Sequence, residues 1–187
     1  MAFSLKTLLR ARGNETAAYR LYAAVVAQAR RPEFYAGLGV PDSPAGRFSM
    51  IALHGFLAMD RLSRDRDTVE LAQALFDVMF ADVDRNLREM GVGDLSVGRQ
   101  VRQLARHFYG MADALRAGLQ EGPETLDSAL RRNVYAEVEI EETVLAALRD
   151  YVRASAAELA AQETVTLVSG DVKFGELAVR GDDGERN

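Results

Sequence analysis

Residues 68–90 read TVELAQALFDVMFADVDRNLREM and decide the fold class, because their apolar side chains fall on one face of a helix. The apolar positions are separated mostly by three or four residues, which is the repeat of an α-helical face. This stripe consists of Ala72, Leu75, Phe76, Met79, Val83, Leu87 and Met90. Asp67 is positioned to cap the start of the helix, and Gly91 and Gly93 are expected to end it.

The same repeat continues on both sides of this stretch. It predicts further helices over residues 15–30, 45–63, 97–119, 124–134 and 137–162, and one turn of helix over 32–38. Asn14 is expected to cap the first of these, and Ser43 followed by Pro44 is a typical helix start. The sequence therefore predicts an all-α fold, a single compact multi-helix domain of about six or seven helices.

Three segments differ in character along the chain. Residues 1–13 form a basic amphipathic N-terminal segment, expected to dock on its own domain, with a membrane surface as the alternative. Residues 14–163 form the helical domain. Residues 164–187 form a tail, in which β-branched residues on either side of Ser169-Gly170-Asp171 favour a short β-hairpin. The alternative is an extended tail that lies over the helices and ends in a frayed terminus.

Composition limits the classes of function. The formal net charge is −5, which argues against a DNA-binding protein. The chain has no cysteine, which excludes disulfides, thiolate metal sites and cysteine nucleophiles and fits a reducing compartment. No apolar run approaches the roughly 20 residues that span a bilayer. We expect a bacterial cytoplasmic protein, with peripheral binding at the inner membrane as the alternative.

A search for catalytic residues yields no specific motif. The sequence has two histidines, and neither His54 nor His107 has a partner at metal-ligand spacing. His54 lies on an apolar face, where a buried imidazole bonded to a backbone carbonyl is expected, and His107 is expected to be exposed. The acidic cluster at 137–142 lacks the Glu-x-x-His pattern of a di-metal site. The sequence thus predicts no enzyme activity, no cofactor and no metal.

Aromatic and basic residues are better candidates for binding. Phe34 and Tyr35 lie in a break between helices, and Tyr109 precedes a mid-helix glycine, Gly110, where close approach of another helix is expected. A basic ridge on residues 97–119 consists of Arg99, Arg102 and Arg106. Solvation alone explains such a ridge, and docking to an acidic or phosphate-bearing partner would also use it.

Several ordered stretches resemble the ubiquinol-cytochrome c chaperone family. They are YAAVVAQARRPEFYAGLGV at 22–40, RFSM at 47–50, the Leu-His pair at 53–54, LREMGV at 87–92 and FYG at 108–110. The resemblance covers roughly residues 14–150. It implies an all-helical, non-enzymatic factor that assists synthesis and assembly of cytochrome b into the cytochrome bc1 complex, together with a small helical partner protein and near the ribosome.

The predicted function is therefore an assembly chaperone that binds a hydrophobic client in an apolar groove with a polar rim. The candidate groove residues are Phe34, Tyr35, His54 and Tyr109, and the candidate rim residues are Arg61, Arg99, Arg102 and Arg106. The first alternative is an adaptor that docks on a ribosome or membrane and has no client groove. The weaker alternative is a helical enzyme with two converging carboxylates of raised pKa.

Overall fold

The predicted helices form a bundle in a computed structural model that describes residues 5–136 and 138–177. The described chain contains seven α-helices and one turn of π-helix over Glu33–Gly37, and it contains no strand. The α-helices are α1 Leu5–Ala29, α2 Pro44–Ser63, α3 Val69–Glu89, α4 Asp94–Glu121, α5 Pro123–Asn133, α6 Glu142–Ala161 and α7 Thr164–Ser169. The predicted all-α class is confirmed.

Helix α2 lies at the centre of the bundle and packs against α1, α3, α4 and α6. Its start is as predicted: Pro44 occupies the first turn, and the Gly46 N–H donates to the Ser43 hydroxyl at 3.1 Å. Residues 52–59 are all buried, on every side of the helix. A helix that is apolar around its whole circumference can be stable in water only when other helices cover it on all sides, and α2 is covered in this way.

Three predicted helix starts were wrong. Helix α1 begins at Leu5, so Asn14 lies inside a continuous helix. Helix α3 begins after Thr68 rather than at Asp67, and the Thr68 hydroxyl turns back to donate to the Leu62 carbonyl at 2.6 Å. Helix α6 begins at Glu142, because the preceding chain is anchored by buried Tyr135, whose hydroxyl donates to the Leu38 carbonyl at 2.8 Å. At the other end of α3, Gly91 adopts a positive φ of 82° and ends the helix as predicted.

The predicted β-hairpin is replaced by a helix and an extended segment. Residues Thr164–Ser169 form α7, which packs against α1 and buries Leu167, and this burial favours helix over the strand suggested by β-branching. Gly170 ends α7 with a φ of 85°. Residues 171–177, called the tail segment below, then run extended over the helices, as in the alternative interpretation. Residues 178–187 and the first four residues lie outside the described part of the chain.

The predicted segment boundaries remain predictions. The backbone of α1 crosses the proposed junction at residue 13 without a break, and the side chains that would show how residues 1–13 dock lie outside the described residues. Among the helices that the structure describes, none combines the length and the apolar character needed to cross a membrane.

Candidate functional site

An open groove of about 1200 Å³ lies where α1, α2, α3 and α4 meet at one end of the bundle. It is bordered by the loop before α2, by the first turns of α2, by the end of α3 and by residues of α4. Its principal apolar lining residues are Phe48, Ile51, Val83, Leu87, Met90 and Leu104. We call this cavity the groove.

The groove exists because the apolar stripe of α3 is longer than the surface that other helices cover. Leu75 and Met79, in the middle of the stripe, are fully buried, whereas Met90 at its end is 63% exposed. Apolar residues that remain uncovered next to a cavity are typical of a binding surface rather than of a folded core.

The rim of the groove carries both signs of charge, with arginine predominating. Arg30, Arg47 and Arg99 line it together with two acids, Asp82 and Glu89. Among the described residues, Arg30 and Arg99 form no ion pair with a carboxylate, whereas other surface arginines do. Two rim cations are thus available to an incoming partner.

Asp82 is already engaged within the domain. It accepts hydrogen bonds from the Tyr22 hydroxyl at 2.8 Å, from the Asn86 amide at 3.0 Å and from Arg85. Partial burial raises the pKa of Asp82, but the bonds from Arg85, Tyr22 and Asn86 outweigh burial, so this pKa lies below its usual range. Burial and the bond to Asp82 raise the pKa of the Tyr22 phenol. Asp82 is therefore an ionised, fully partnered carboxylate and is unsuited to act as a general acid.

A buried polar network lies deeper in the bundle, centred on His54. Its Nδ1 is 2.7 Å from the Met50 carbonyl oxygen, and its Nε2 is 2.7 Å from the Tyr151 hydroxyl. A carbonyl oxygen can only accept, so Nδ1 carries the proton, and Nε2 accepts from Tyr151. The Tyr151 oxygen in turn accepts from the Gln28 amide at 2.9 Å. Both nitrogens of this fully buried imidazole therefore have hydrogen-bond partners. The sequence predicted the bond to a backbone carbonyl.

The electrostatics of His54 follow from this enclosure. Desolvation lowers its pKa from 6.5 to about 4, against the opposing effect of the Met50 hydrogen bond. Phe34 and Phe174 meet the imidazole ring edge-on, with centroids 5.3 and 5.0 Å away. The ring is therefore neutral at physiological pH and behaves as part of the core.

Four of the predicted binding residues serve the fold instead of lining the groove. Phe34 and His54 are fully buried, so neither can contact a client in this structure. Tyr35 is half-buried and donates its hydroxyl to the Ala29 carbonyl at 2.8 Å. Arg61 donates to the carbonyls of Leu159 and Gln162, each at 3.0 Å, and so caps the C-terminal end of α6.

The other four predicted residues are exposed on α4. Tyr109 is 54% exposed and stacks on Phe76 at a centroid distance of 5.3 Å. The ridge residues Arg99, Arg102 and Arg106 are all exposed, and only Arg99 lines the groove. The close approach of another helix expected at Gly110 is wrong, because no atom of the described residues lies within 4 Å of the position where a Cβ would stand. The close approach on α4 occurs at Gly118, where a Cβ would be 2.6 Å from the Leu126 Cα.

Sequence reasoning identified the stripe that builds the groove but not the groove itself. The available signal was that the stripe of α3 extends to Met90, at the end of the helix, where the following sequence GVGD has Val92 as its one apolar residue. Phe48 and Ile51, from the start of α2, carried no comparable signal. Within the described part of the chain, no three His, Cys, Asp or Glu side chains cluster as metal ligands would.

Comparison with known proteins agrees with this architecture. Residues 36–174 match the family model described as Ubiquinol-cytochrome C chaperone. A solved structure, the Cbp3 homolog from Brucella abortus, is 35% identical and superposes with a TM-score of 0.79, over 93% of this chain and 98% of that chain. No curated protein matches the sequence.

Proposed function

Because the chain belongs to the ubiquinol-cytochrome c chaperone family, we propose that it is a non-enzymatic assembly chaperone whose client is cytochrome b. In this proposal the chain acts in the bacterial cytoplasm, at most peripherally at the inner membrane. It holds a hydrophobic segment of the client during biogenesis of the cytochrome bc1 complex. The single observation that supports client binding is the groove, with its partly exposed apolar lining and with Arg30 and Arg99, which have no carboxylate partner among the described residues.

The size and lining of the groove favour a polypeptide over a small molecule. Pockets for small molecules are typically about 300–1,000 Å³ and bury most of the ligand. This groove is larger, at about 1200 Å³, and it is open to solvent along its length. An apolar helix laid into it would cover Met90, which is 63% exposed, and burying such a side chain completely contributes up to about 1.5–3 kcal/mol.

The rim supplies what a temporary holder needs in addition to apolar contact. Arg30 and Arg99 can pair with acidic or polar groups that flank an apolar client segment. Exposed ion pairs contribute only about 0–1 kcal/mol each, so they orient the client without making its release slow. A chaperone that must pass its client onward requires such a balance of apolar contact and weak polar contact.

The proposal is tested with Met90→Glu, since Met90 lines the groove and is already 63% exposed. Val165→Glu is the matched control, because Val165 is 69% exposed on α7, away from the groove. Cytochrome b is synthesised in vitro in the presence of each purified chain, and the client that copurifies is measured.

We expect Met90→Glu to lower capture about tenfold or more, because a carboxylate must be desolvated against the apolar client, whereas Val165→Glu leaves capture unchanged. Equal capture by both variants and the unsubstituted chain would refute client binding in the groove.

A second candidate function, docking to a ribosome or membrane, is favoured by the ridge. Arg99, Arg102 and Arg106 are exposed, and among the described residues none of them is paired with a carboxylate. Three uncompensated cations on one helix attract phosphate groups or an acidic protein, and a small helical partner protein would also find complementary charge here. This function is compatible with client binding, since the ridge meets the groove only at Arg99.

A further inference from the structure

The tail segment is held in the way that a peptide ligand is held, through its backbone. The Lys173 N–H donates to the Gln162 side-chain oxygen at 2.9 Å, and the Gln162 side-chain nitrogen donates to the Lys173 carbonyl at 2.7 Å. Two residues further on, the Gly175 N–H donates to the Ser155 hydroxyl at 3.0 Å. Ser155 lies in the C-terminal half of α6, and Gln162 directly follows the last residue of that helix. Contacts of this kind accept any extended chain that has N–H groups at these positions, as in peptide recognition by strand addition.

At two positions of the tail segment, the surroundings restrict which residue type fits. The Phe174 ring meets the His54 imidazole edge-on at 5.0 Å and lies over the buried network. Gly175 lies so close to α6 that a Cβ there would be 2.7 Å from the Ser155 nitrogen and 2.8 Å from the Ala154 Cβ. The site therefore requires an aromatic residue followed directly by glycine.

An open depression lies beside the tail segment. A cavity of about 530 Å³ remains beside it, lined by Gln28 of α1, Glu158 of α6 and residues 172–176 of the tail segment. None of the described residues lines both this cavity and the groove. The tail segment thus lies in a separate, open cleft between α1 and α6, and one side of this cleft is not filled by it.

We propose that the α1–α6 cleft is a peptide-binding site which the chain's own tail segment fills in cis. Its ligand in trans is an extended segment of a partner protein that carries an aromatic residue followed by glycine, and it binds when the tail segment leaves. The inference is independent of the proposed function of the groove, because it concerns different residues and a different mode of recognition.

While the tail segment occupies the cleft, the apparent affinity of the cleft for a peptide in trans is low, and it rises when the tail segment is bound less tightly. A tethered ligand acts at an effective concentration of the order of millimolar. If the tail segment is detached in about 1% of molecules, a trans peptide binds about 100-fold more weakly than it would to the vacant cleft. A change that weakens the tail segment should therefore strengthen binding of a peptide in trans, while a change in the cleft itself should weaken it.

These opposite signs give the test. A fluorescein-labelled peptide with the sequence of residues 171–177, DVKFGEL, is titrated with full-length chain and followed by fluorescence anisotropy. In one variant, Phe174→Ala removes the aromatic anchor of the tail segment. In another, Lys173→Pro removes the N–H that donates to Gln162 without touching the core, since Lys173 is exposed. Asp171→Ala, at an exposed tail position that does not line the cavity, is the matched control.

We expect Phe174→Ala and Lys173→Pro, called the opening variants, to bind the peptide at least tenfold more tightly than the unsubstituted chain and Asp171→Ala. Adding Gln162→Ala to either opening variant should abolish the gain, and so should a peptide in which alanine replaces the glycine. The proposal is overturned if the folded opening variants bind no peptide, or if binding survives Gln162→Ala or the alanine peptide. It is also overturned if both opening variants unfold, because the tail segment would then be core and not a displaceable ligand.

Discussion

Replacing His54 with glutamine tests whether the buried imidazole sets the stability of the fold in acid. Glutamine retains a polar side chain of similar size but does not titrate. In the native protein His54 is fully buried, and its two nitrogens bond to the Met50 carbonyl and the Tyr151 hydroxyl. Protonating Nε2 would turn an acceptor into a donor and would place a charge among aromatic rings, so the folded state resists protonation.

The magnitude follows from the pKa of His54 in the two states. Burial lowers this pKa from 6.5 to about 4 in the folded chain, whereas the unfolded chain keeps a value near 6.5. Between these values the unfolded state binds more protons, so the free energy of unfolding falls as the pH falls from about 6.5 to about 4. At about 1.4 kcal/mol for each unit of pKa, His54 alone accounts for a loss of roughly 3 kcal/mol across this window.

The assay is urea denaturation at pH 7 and at pH 4 of the unsubstituted chain, His54→Gln and His107→Gln. Carboxylates contribute to acid destabilisation in all three chains and cancel when the losses are compared. We expect the unsubstituted chain to lose roughly 3 kcal/mol more than His54→Gln. His107→Gln, at an exposed position, is the control for replacing a histidine with glutamine. Equal losses in the unsubstituted chain and His54→Gln would refute the buried, neutral imidazole.

Three further outcomes are expected. His54→Ala should lower the free energy of unfolding at pH 7 by about 1–3 kcal/mol, because the buried Tyr151 hydroxyl loses its acceptor. If the melting temperature is unchanged and client capture is lost, His54 is a binding residue instead. In thermal denaturation, Gly118→Ala should destabilise by about 1–3 kcal/mol, since its Cβ would meet the Leu126 backbone at 2.6 Å, whereas Gly110→Ala, with open space around it, should stabilise by about 1 kcal/mol. Purified chain should bind no transition metal in stoichiometric amount; about one metal per chain after chelation, by elemental analysis, would contradict this.

The helical fold could be predicted because its strongest signals are local. The stripe over 68–90 and the Ser43–Pro44 start depend on residue spacing and on side chains next to them in sequence, and both are present in the structure. The errors occur where distant contacts outweigh local preference. The β-branched residues around Leu167 favour a strand on their own, yet packing of Leu167 against the core stabilises helix α7.

The groove could not be predicted for the same physical reason. An apolar stripe shows which face of α3 is buried. It does not show how much of that face α4 covers, because this depends on where α4 crosses α3. Leu75 and Met90 therefore occupy the same stripe in the sequence pattern, yet Leu75 is fully buried and Met90 is 63% exposed. The role of His54 was accessible because its acceptor, the Met50 carbonyl, lies one helical turn away, whereas Tyr151, its other partner, lies 97 residues further along the chain.

The basic ridge separates client binding from docking, because its three arginines are not equivalent. Arg99 lines the groove, whereas Arg102 and Arg106 do not. All three are exposed, so replacing them with glutamine should change the free energy of unfolding by no more than about 0.5 kcal/mol. If the ridge docks an acidic partner or ribosomal RNA, the triple variant should lose that association, and added salt should weaken the native complex similarly.

Single and double variants then assign each role. Arg99→Gln alone should lower capture of cytochrome b, since it removes a cation from the rim, while the double variant Arg102→Gln, Arg106→Gln should leave capture intact and weaken only docking. Client and docking partners are measured by pull-down across a salt series, with melting temperature as the control for folding. If all variants retrieve the same partners in the same yield at every salt concentration, the ridge is a solvated helix face, and client binding must depend on the apolar lining of the groove alone.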